Sequence, residues 1–183
     1  AKHVTQRFPA SGGRELTACN DISLKFYRGK TLGLIGESGC GKSTFMRFLV
    51  RLDIPTEGEI LFHGKDLTRL KGEALRQTRQ HIQMVFQDPG GSFNPKMKIR
   101  DIICEPLLNF GRIKASEKDA VARKYLAAVD LPGELAGRFP HNMSGGQRQR
   151  IAIARAIALE PELIVMDEAT CALDVSVQKT IIE

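Results

Sequence analysis

A glycine-rich run with a single lysine carries the clearest chemistry in the sequence. Residues 36–43 match the pattern G-x-x-x-x-G-K-[ST], with an apolar stretch before them and a helical stretch after. The glycines let successive backbone N–H groups point inward at phosphate oxygens. The compact ammonium of Lys42 can then reach the β- and γ-phosphates, and the hydroxyl of Ser43 can bind Mg²⁺. The run predicts a nucleotide-phosphate site whose ligands are Gly36, Glu37, Ser38, Gly39, Cys40, Gly41, Lys42, Ser43 and Thr44.

Two acids follow a short apolar run near the end of the chain. Leu163–Met166 is wholly apolar, and Asp167 and Glu168 come directly after it. A buried strand that ends in an acid places that acid at the carboxyl edge of its sheet, where α/β folds bind ligands. We expect Asp167 to hold Mg²⁺ and Glu168 to orient or deprotonate an attacking water. Taken alone, the pattern is more often a strand that ends at the surface, but the upstream phosphate loop favours the functional interpretation.

A second glycine-rich segment opens a long helix. Ser144 is a suitable N-cap, and Gly145, Gly146 and Gln147 follow it. Free N–H groups at the start of a helix, together with the helix dipole, form an anion site. An ordinary capped helix with a flexible entry explains the serine but leaves the two glycines and the glutamine unexplained.

The elements that would position these residues follow from hydrophobic periodicity. Residues 31–35 form a short apolar run, typical of a strand covered on both faces of its sheet, and residues 42–52 are helical. Ser116 is a candidate N-cap, with Asp119 completing a weakened capping box. Further strands are expected at 4–8, 22–26, 59–62, 82–86 and 163–166, and further helices at 98–109, 116–129 and 145–160. The order of these elements favours an α/β core with an α-helical subdomain.

Composition excludes several classes of protein. The 183 residues carry a net charge of +6 and 42% are hydrophobic, which rules out gross disorder. No apolar stretch reaches the roughly 20 residues of a membrane span. The positive charge suits nucleotides, nucleic acid or lipid headgroups, or is a solvated surface. Cys19, Cys40, Cys104 and Cys171 lack metal-ligand spacing and are expected to be reduced; Cys40, at a helix start, is either redox-sensitive or a small loop residue.

The glycine-rich segment at Ser144, together with its flanking residues, indicates a family. Met143-Ser-Gly-Gly-Gln147 is followed by Arg148-Gln-Arg150, and with the phosphate loop and the acidic pair the chain resembles an ABC-type ATPase from about Val4 to Glu183. The resemblance implies a P-loop NTPase fold: a RecA-like core with a mostly parallel sheet, an N-terminal antiparallel β subdomain and an inserted α-helical subdomain. Residues 1–87 and 161–183 would form the ATP-binding core, and residues 88–160 the helical subdomain.

The same resemblance implies ATP and Mg²⁺ as cofactors and gives each motif a role. The segment after Met143 would face the γ-phosphate of ATP held by a partner subunit, through Ser144, Gly145, Gly146 and Gln147. Phe8 would stack on adenine, with Tyr27 as the less favoured substitute, and Asp174 would couple the two sites of the dimer. The implied catalytic residues are Lys42, Gln87 and Glu168. The implied metal ligands are Ser43, Gln87 and Asp167.

The chain departs from the family pattern in three places. Ala169 and Cys171 stand where proline and serine are common, although both are small and neither removes a catalytic group. The third departure is the switch histidine beyond the Asp174 loop, since none of the four histidines lies in that context. We therefore expect a C-terminally truncated core that binds ATP better than it hydrolyses it.

Three further stretches indicate a branch of the family. Residues 87–95, 101–107 and 174–178 look like importers of the oligopeptide, dipeptide and nickel type. The first stretch, together with residues 75–86, is closest to the second of their two ATPase subunits. The implied function is a motor that couples ATP-driven dimerisation to uptake of peptides or a related small solute. The implied partners are a second ATPase subunit in a heterodimer or homodimer, permease subunits that contact residues 88–109, and indirectly an extracytoplasmic solute-binding protein. The implied location is the cytoplasmic face of the inner membrane.

Other functions stay open from the sequence. Non-transport ABC ATPases act in DNA repair, chromosome organisation or translation, but the repair and chromosome members carry long inserts that this chain lacks, and no nucleic acid is expected. An accessory ATPase of a metabolic complex, such as the phosphonate-cleaving systems, is a further alternative. The last is an inactive chain that serves only as a scaffold.

Overall fold

The computed structural model describes residues 1–10 and 12–167. The chain divides into two compact units, Ala1–Arg79 and Gln80–Glu183. The expected roles of Glu168 and Asp174 fall outside the described residues. The division predicted from the motifs, with a helical subdomain at 88–160, stays a prediction.

The first unit is built on a three-stranded antiparallel sheet in the order β2-β1-β3. Its strands are β1 (Lys2–Pro9), β2 (Glu15–Ile22) and β3 (Glu57–Glu59). Strand β1 confirms the strand predicted at 4–8 and the antiparallel N-terminal sheet. The strand predicted at 22–26 is wrong. Strand β2 lies earlier in the chain and ends at Ile22, which pairs with Val4 near the start of β1. Beyond it, Leu24 exchanges backbone hydrogen bonds with Ala1, at 3.0 and 3.1 Å.

The apolar run at 31–35 does not form the predicted strand. Within the described part of the first unit, no strand pairs with it. Leu32, Leu34 and Ile35 are exposed, and Ile35 is 97% exposed. A strand exists only where neighbouring strands satisfy its N–H and C=O groups, and the sheet of this unit does not extend to these residues.

A helix follows the glycine-rich loop. It is α1 (Lys42–Leu49), and it buries Phe45, Phe48 and Leu49. It ends three residues before the predicted position, because Arg51 takes a left-handed conformation with φ of 56° and turns the chain.

The rest of the first unit consists of a small hairpin and a helix. The hairpin pairs β4 (Leu61–Phe62) with β5 (Lys65–Asp66), and α2 (Gly72–Arg79) follows. The single strand predicted at 59–62 is therefore divided between two sheets at the buried Ile60, whose carbonyl accepts a hydrogen bond from the N–H of Leu67 at 2.7 Å.

The second unit joins two parallel strands to three packed helices. Strand β6 (Ile82–Val85) pairs in parallel with β7 (Leu163–Met166), from Ile82 opposite Leu163 to Val85 opposite Met166. The helices are α3 (Ile99–Asn109), α4 (Lys118–Ala127) and α5 (Gly145–Ile157). The parallel pair and the three helices confirm the predicted α/β character with helices inserted between the strands.

The helices of the second unit enclose a common apolar core. Its fully buried members include Ile99, Ile103, Cys104, Ala122, Leu126, Ile151 and Ala154. Burial raises the pKa of the Cys104 thiol to about 11, so this cysteine stays protonated at neutral pH. No helix among the described residues is both long enough and apolar enough to cross a membrane.

The predicted cap of α4 is wrong. A short 3₁₀ turn (Ala115–Glu117) precedes the helix, and Ser116 lies inside that turn rather than at its start. The carboxylate of Glu117 accepts a hydrogen bond from the N–H of Lys114 at 2.6 Å. The carboxylate closes the turn, so the helix begins two residues later than predicted.

Candidate functional site

The glycine-rich loop of the first unit is shaped by two left-handed glycines. Gly39 has φ of 79° and Gly41 has φ of 95°, values that side chains rarely allow. A Cβ on Gly41 would also lie 2.0 Å from the carbonyl oxygen of Ala18. A Cβ on Gly36 would lie 2.8 Å from the sulfur of Cys40, the end of a flexible side chain. The glycine at 41 is thus required both by its backbone conformation and by contact with β2.

The loop ends in a helix start whose N-cap residue has no side chain. Gly41 is the N-cap of α1, so no side chain at that position caps the helix, and the first turn contains no acidic residue. The positive end of the helix dipole lies here, beside Lys42, Ser43 and Thr44. A helix start of this kind attracts an anion.

Lys42 lies across the loop. Its ammonium donates to the carbonyl oxygens of Gly36 and Glu37, both at 2.6 Å, and lies 3.7 Å from the sulfur of Cys40. These carbonyls are neutral acceptors, and a charged phosphate oxygen is a stronger one. The ammonium can therefore leave the carbonyls for a phosphate in the same loop.

Strand β2 supports the loop from behind, a role that the sequence interpretation missed. Cys19 is buried, and its thiol donates to the carbonyl oxygen of Gly41 at 3.8 Å, while Ala18 contacts the same glycine. Burial raises the pKa of the Cys19 thiol, and the nearby Cys40 raises it further. The residue pattern around 15–22 gives no sign of this contact, because the register of β2 is shifted at this point by a bulge.

Phe8 lies on β1 and is 42% exposed. It stands opposite Leu16 of β2, which is also exposed, so the pair forms an apolar patch on the hairpin. Tyr27 is more exposed still, in a segment without regular structure. The exposed ring of Phe8 is compatible with stacking on a base, and that role stays a prediction.

In the second unit, two candidate residues follow neighbouring strands. Gln87 comes shortly after β6, and Asp167 comes directly after β7. The N–H of Asp167 donates to the carbonyl oxygen of Val85 at 3.0 Å, which continues the parallel ladder past the end of β7. Both side chains therefore belong to one carboxyl edge, and their oxygens are of the type that Mg²⁺ prefers. The described residues contain no cluster of three or more His, Cys, Asp or Glu side chains that could hold a metal.

The second glycine-rich helix start closes on itself. The hydroxyl of Ser144 accepts from the N–H of Gln147 at 3.2 Å, and the amide oxygen of Gln147 accepts from the N–H of Ser144 at 3.0 Å. This reciprocal pair is a capping box, which confirms Ser144 as the N-cap of α5. The role of Gln147 in the box was missed, although the spacing S-x-x-Q was the signal for it.

Gly145, the first residue of α5, faces open space. Apart from its chain neighbours and the backbone of its own helix, no heavy atom of the described residues lies within 4 Å of where its Cβ would be, and its φ is not in the left-handed region. Glycine within a helix costs roughly 0.5–1 kcal/mol relative to alanine. The open space at this helix start leaves room for a group from outside the unit to approach the backbone.

An open groove of about 430 Å³ runs along α3. It is lined by Lys96, Met97, Asp101, Glu105, Leu108, Asn109 and Lys118. Two ion pairs border it, Lys118 with Asp101 at 2.5 Å and Arg155 with Glu105 at 3.2 Å. Most of the lining falls within residues 88–109, the segment expected to contact a permease.

Comparison with known proteins agrees with the motifs. The family model for "ABC transporter" matches residues 19–171. The oligopeptide transport ATP-binding protein AppF of Bacillus subtilis is 47% identical over 99% of this chain and 57% of its own length. Its OppF counterpart from the same organism is 45% identical over 99% of this chain and 60% of its own length. The dipeptide transport ATP-binding protein DppF of Lactococcus lactis is 48% identical over 90% of this chain and 54% of its own length.

The solved structures agree with these relatives. The ATP-binding cassette MJ0796, in a dimeric post-hydrolysis state bound to ADP and Pi, superposes with a TM-score of 0.89 at 32% identity, over 98% of this chain and 78% of that one. The predicted P-loop NTPase fold is thereby confirmed. The chain spans a little more than half the length of the curated relatives it matches. On its sequence match and its fold together, the chain belongs to the ABC transporter family.

Proposed function

We propose that the protein is the ATP-binding and ATP-hydrolysing motor subunit of an ABC importer, which couples ATP-driven dimerisation to the uptake of peptides or a related small solute. The observation that carries the proposal is the loop before α1. There, left-handed glycines, a helix start with a glycine at its N-cap and no acid in its first turn, and the ammonium of Lys42 converge within eight residues.

The residues of this loop fit the triphosphate of ATP. The backbone N–H groups around Gly39 and Gly41 and the start of α1 offer donors to phosphate oxygens. Lys42 exchanges its two carbonyl partners for the β- and γ-phosphates, where a charged acceptor makes the stronger bond. The exposed ring of Phe8 stacks on the adenine.

The polar residues after β6 and β7, together with Ser43 of α1, suit hydrolysis. Ser43, Gln87 and Asp167 supply hydroxyl, amide and carboxylate oxygens, a donor set that fits Mg²⁺. When bound, this ion offsets the negative charge that develops on the phosphates. Gln87 positions the attacking water, and Glu168 accepts a proton from it.

The helix start of α5 serves a second ATPase subunit, in a heterodimer or a homodimer. The open position at Gly145 lets a phosphate held by that subunit come close to the backbone of α5. Ser144, Gly146 and Gln147 contribute to the same contact, and Asp174 couples the two sites. The dimeric state of the MJ0796 cassette supports this arrangement.

The importer assignment rests on the relatives and on the groove along α3. AppF, OppF and DppF are named as oligopeptide or dipeptide transport proteins, which supports transport over an accessory role in a metabolic complex or on nucleic acid. The groove offers a permease subunit both apolar and charged contacts within residues 88–109. Through the permease, the protein lies at the cytoplasmic face of the membrane and responds indirectly to an extracytoplasmic solute-binding protein.

The first test measures ATP binding with Lys42→Ala against the parent. We expect affinity to fall by about 100-fold or more, because the phosphates lose their cation. Lys65→Ala removes an exposed lysine from the β4–β5 hairpin of the same unit and is the matched control, expected to bind like the parent. Equal affinity in all three proteins would contradict the proposal and favour a scaffold.

The second test concerns transport. The full-length protein is co-purified with candidate peptide permeases, and ATP hydrolysis is measured with and without permease and solute-binding protein. We expect hydrolysis to rise in the complete assembly. Hydrolysis that is indifferent to both partners, or that rises with added nucleic acid instead, would overturn the importer assignment.

A further inference from the structure

Two cysteines lie near each other at the phosphate loop, one on β2 and one in the loop itself. Cys19 reaches the loop from β2, where its thiol donates to the carbonyl oxygen of Gly41 at 3.8 Å. Its sulfur would lie 3.5 Å from a Cβ on Gly41. Cys40 is the residue directly before Gly41. The residue that Cys19 contacts is therefore the chain neighbour of Cys40.

The two thiols differ in environment. Cys40 is exposed, and the ammonium of Lys42 lies 3.7 Å from its sulfur. Cys19 is buried, and burial raises the pKa of its thiol. An exposed thiol beside a cation is the one that an oxidant attacks first, and a protected thiol close by is suited to resolve the oxidised product.

We propose that Cys40 and Cys19 form an oxidisable pair that closes the phosphate loop as a disulfide under oxidation and reopens it on reduction. The oxidant is a peroxide. The loss of ATP binding that follows rests on the proposed function, whereas formation of the disulfide does not.

The chemistry is a two-electron oxidation. The thiolate of Cys40 attacks a peroxide oxygen: an S–O bond forms, the O–O bond breaks, and for hydrogen peroxide the leaving hydroxide takes a proton to become water. The sulfur of Cys19 then attacks the sulfur of Cys40. The S–S bond forms, the S–O bond breaks, and the departing hydroxide takes the Cys19 proton as a second water. Two thiols and one hydrogen peroxide thus give one disulfide and two waters.

The disulfide would change the loop where phosphate is expected to bind. Cys40 must turn its sulfur away from Gly36 and Lys42 and toward β2. This movement draws the loop onto the strand and prevents its N–H groups from curling around a phosphate. A thiol reductant breaks the bond and restores the loop.

The test uses the purified chain, reduced and then treated with hydrogen peroxide, with free thiols blocked before digestion. Trypsin places Cys19 in peptide 15–25 and Cys40 in peptide 31–42. We expect mass spectrometry to find these two peptides cross-linked after oxidation and separate after dithiothreitol. Cys19→Ala should abolish the cross-link, and Cys104→Ala, which removes the buried cysteine of the second unit, should retain it.

ATP binding is measured on the same samples, each variant oxidised against its own reduced form. We expect oxidation to weaken binding by the parent and by Cys104→Ala at least about tenfold, reversibly, and to have a smaller reversible effect on Cys19→Ala. The proposal is overturned if Cys40 accumulates as a sulfinic acid with Cys19 free. It is equally overturned if Cys40 pairs with Cys104, Cys171 or another copy of itself. Failure of the reduced parent to bind ATP would instead contradict the proposed function, while the cross-link is still judged by mass.

Discussion

Two glycine-rich helix starts in this chain look alike in sequence and are treated differently by the fold. At α1, Gly41 is held in the left-handed region against the carbonyl of Ala18, and as the N-cap it has no side chain with which to cap the helix. At α5, Ser144 caps the helix together with Gln147, and Gly145 faces open space.

The two glycines differ in how far the surrounding structure requires the absence of a side chain. Gly41 is required by its own unit, because its φ is left-handed and the Ala18 carbonyl of β2 leaves no room for a Cβ. Gly145 has neither a left-handed φ nor, among the described residues, a neighbour that would clash with a Cβ, so its position is open to a ligand or partner. The α1 start is therefore shaped by a contact within its own unit, whereas the α5 start is capped by its own residues and exposes Gly145.

The largest expected effect is at Gly41. Gly41→Ala places a Cβ on the Ala18 carbonyl and forces a side chain into φ of 95°, so we expect the free energy of unfolding to fall by about 2–4 kcal/mol. Urea unfolding followed by circular dichroism measures this. A loss below about 0.5 kcal/mol would remove the distinction between the two helix starts.

The next effect tests the capping box. Ser144→Ala removes the acceptor for the N–H of Gln147, and we expect a loss of about 1 kcal/mol in the same unfolding measurement. Ser116→Ala is the matched control, because Ser116 is exposed and lies inside a turn rather than at a cap. Equal losses of unfolding free energy in Ser144→Ala and Ser116→Ala would mean that Ser144 does not cap α5.

The third effect has the opposite sign. Gly145→Ala fills open space and restricts the unfolded chain, so we expect stability to rise by about 0.5 kcal/mol. Under the proposed function the added methyl also obstructs the phosphate of a partner subunit, and ATP-dependent dimerisation, measured by light scattering, should weaken. Unchanged dimerisation together with raised stability would leave Gly145 without the external role inferred for it.

The smallest effect lies within the first loop. A Cβ on Gly36 meets only side-chain atoms, the sulfur of Cys40 at 2.8 Å and the Cδ of Lys42 at 3.9 Å, and both side chains can rotate away; Gly36→Ala should therefore lower the free energy of unfolding by less than about 0.5 kcal/mol. Comparison with Gly41→Ala separates a side-chain clash from a backbone clash in one loop. Equal losses at both positions would mean that the contact between Gly41 and β2 is not what holds the loop.

Local patterns predicted much of the candidate site. The glycine spacing before Lys42, the serine cap at 144 and the apolar run before Asp167 each depend on residues within one or two turns of one another, and the structure has the expected element at each. One error was local, because Glu117 took the capping role predicted for Ser116 within a single turn. The other errors concern strands: those expected at 22–26 and 31–35 are absent because a strand needs pairing partners that are distant in sequence.

By itself, the sequence determined which side chains are available for phosphate, magnesium and water, and which helices begin at a glycine or a serine. Only the tertiary structure decided that Cys19 and Ala18 support the loop before α1, that Asp167 and Gln87 share one sheet edge, and that Gly145 is open. The physical reason is range. Capping and helix formation depend on residues three or four apart, whereas sheet register and backbone contacts join residues tens of positions apart, and no local pattern records which of them will meet.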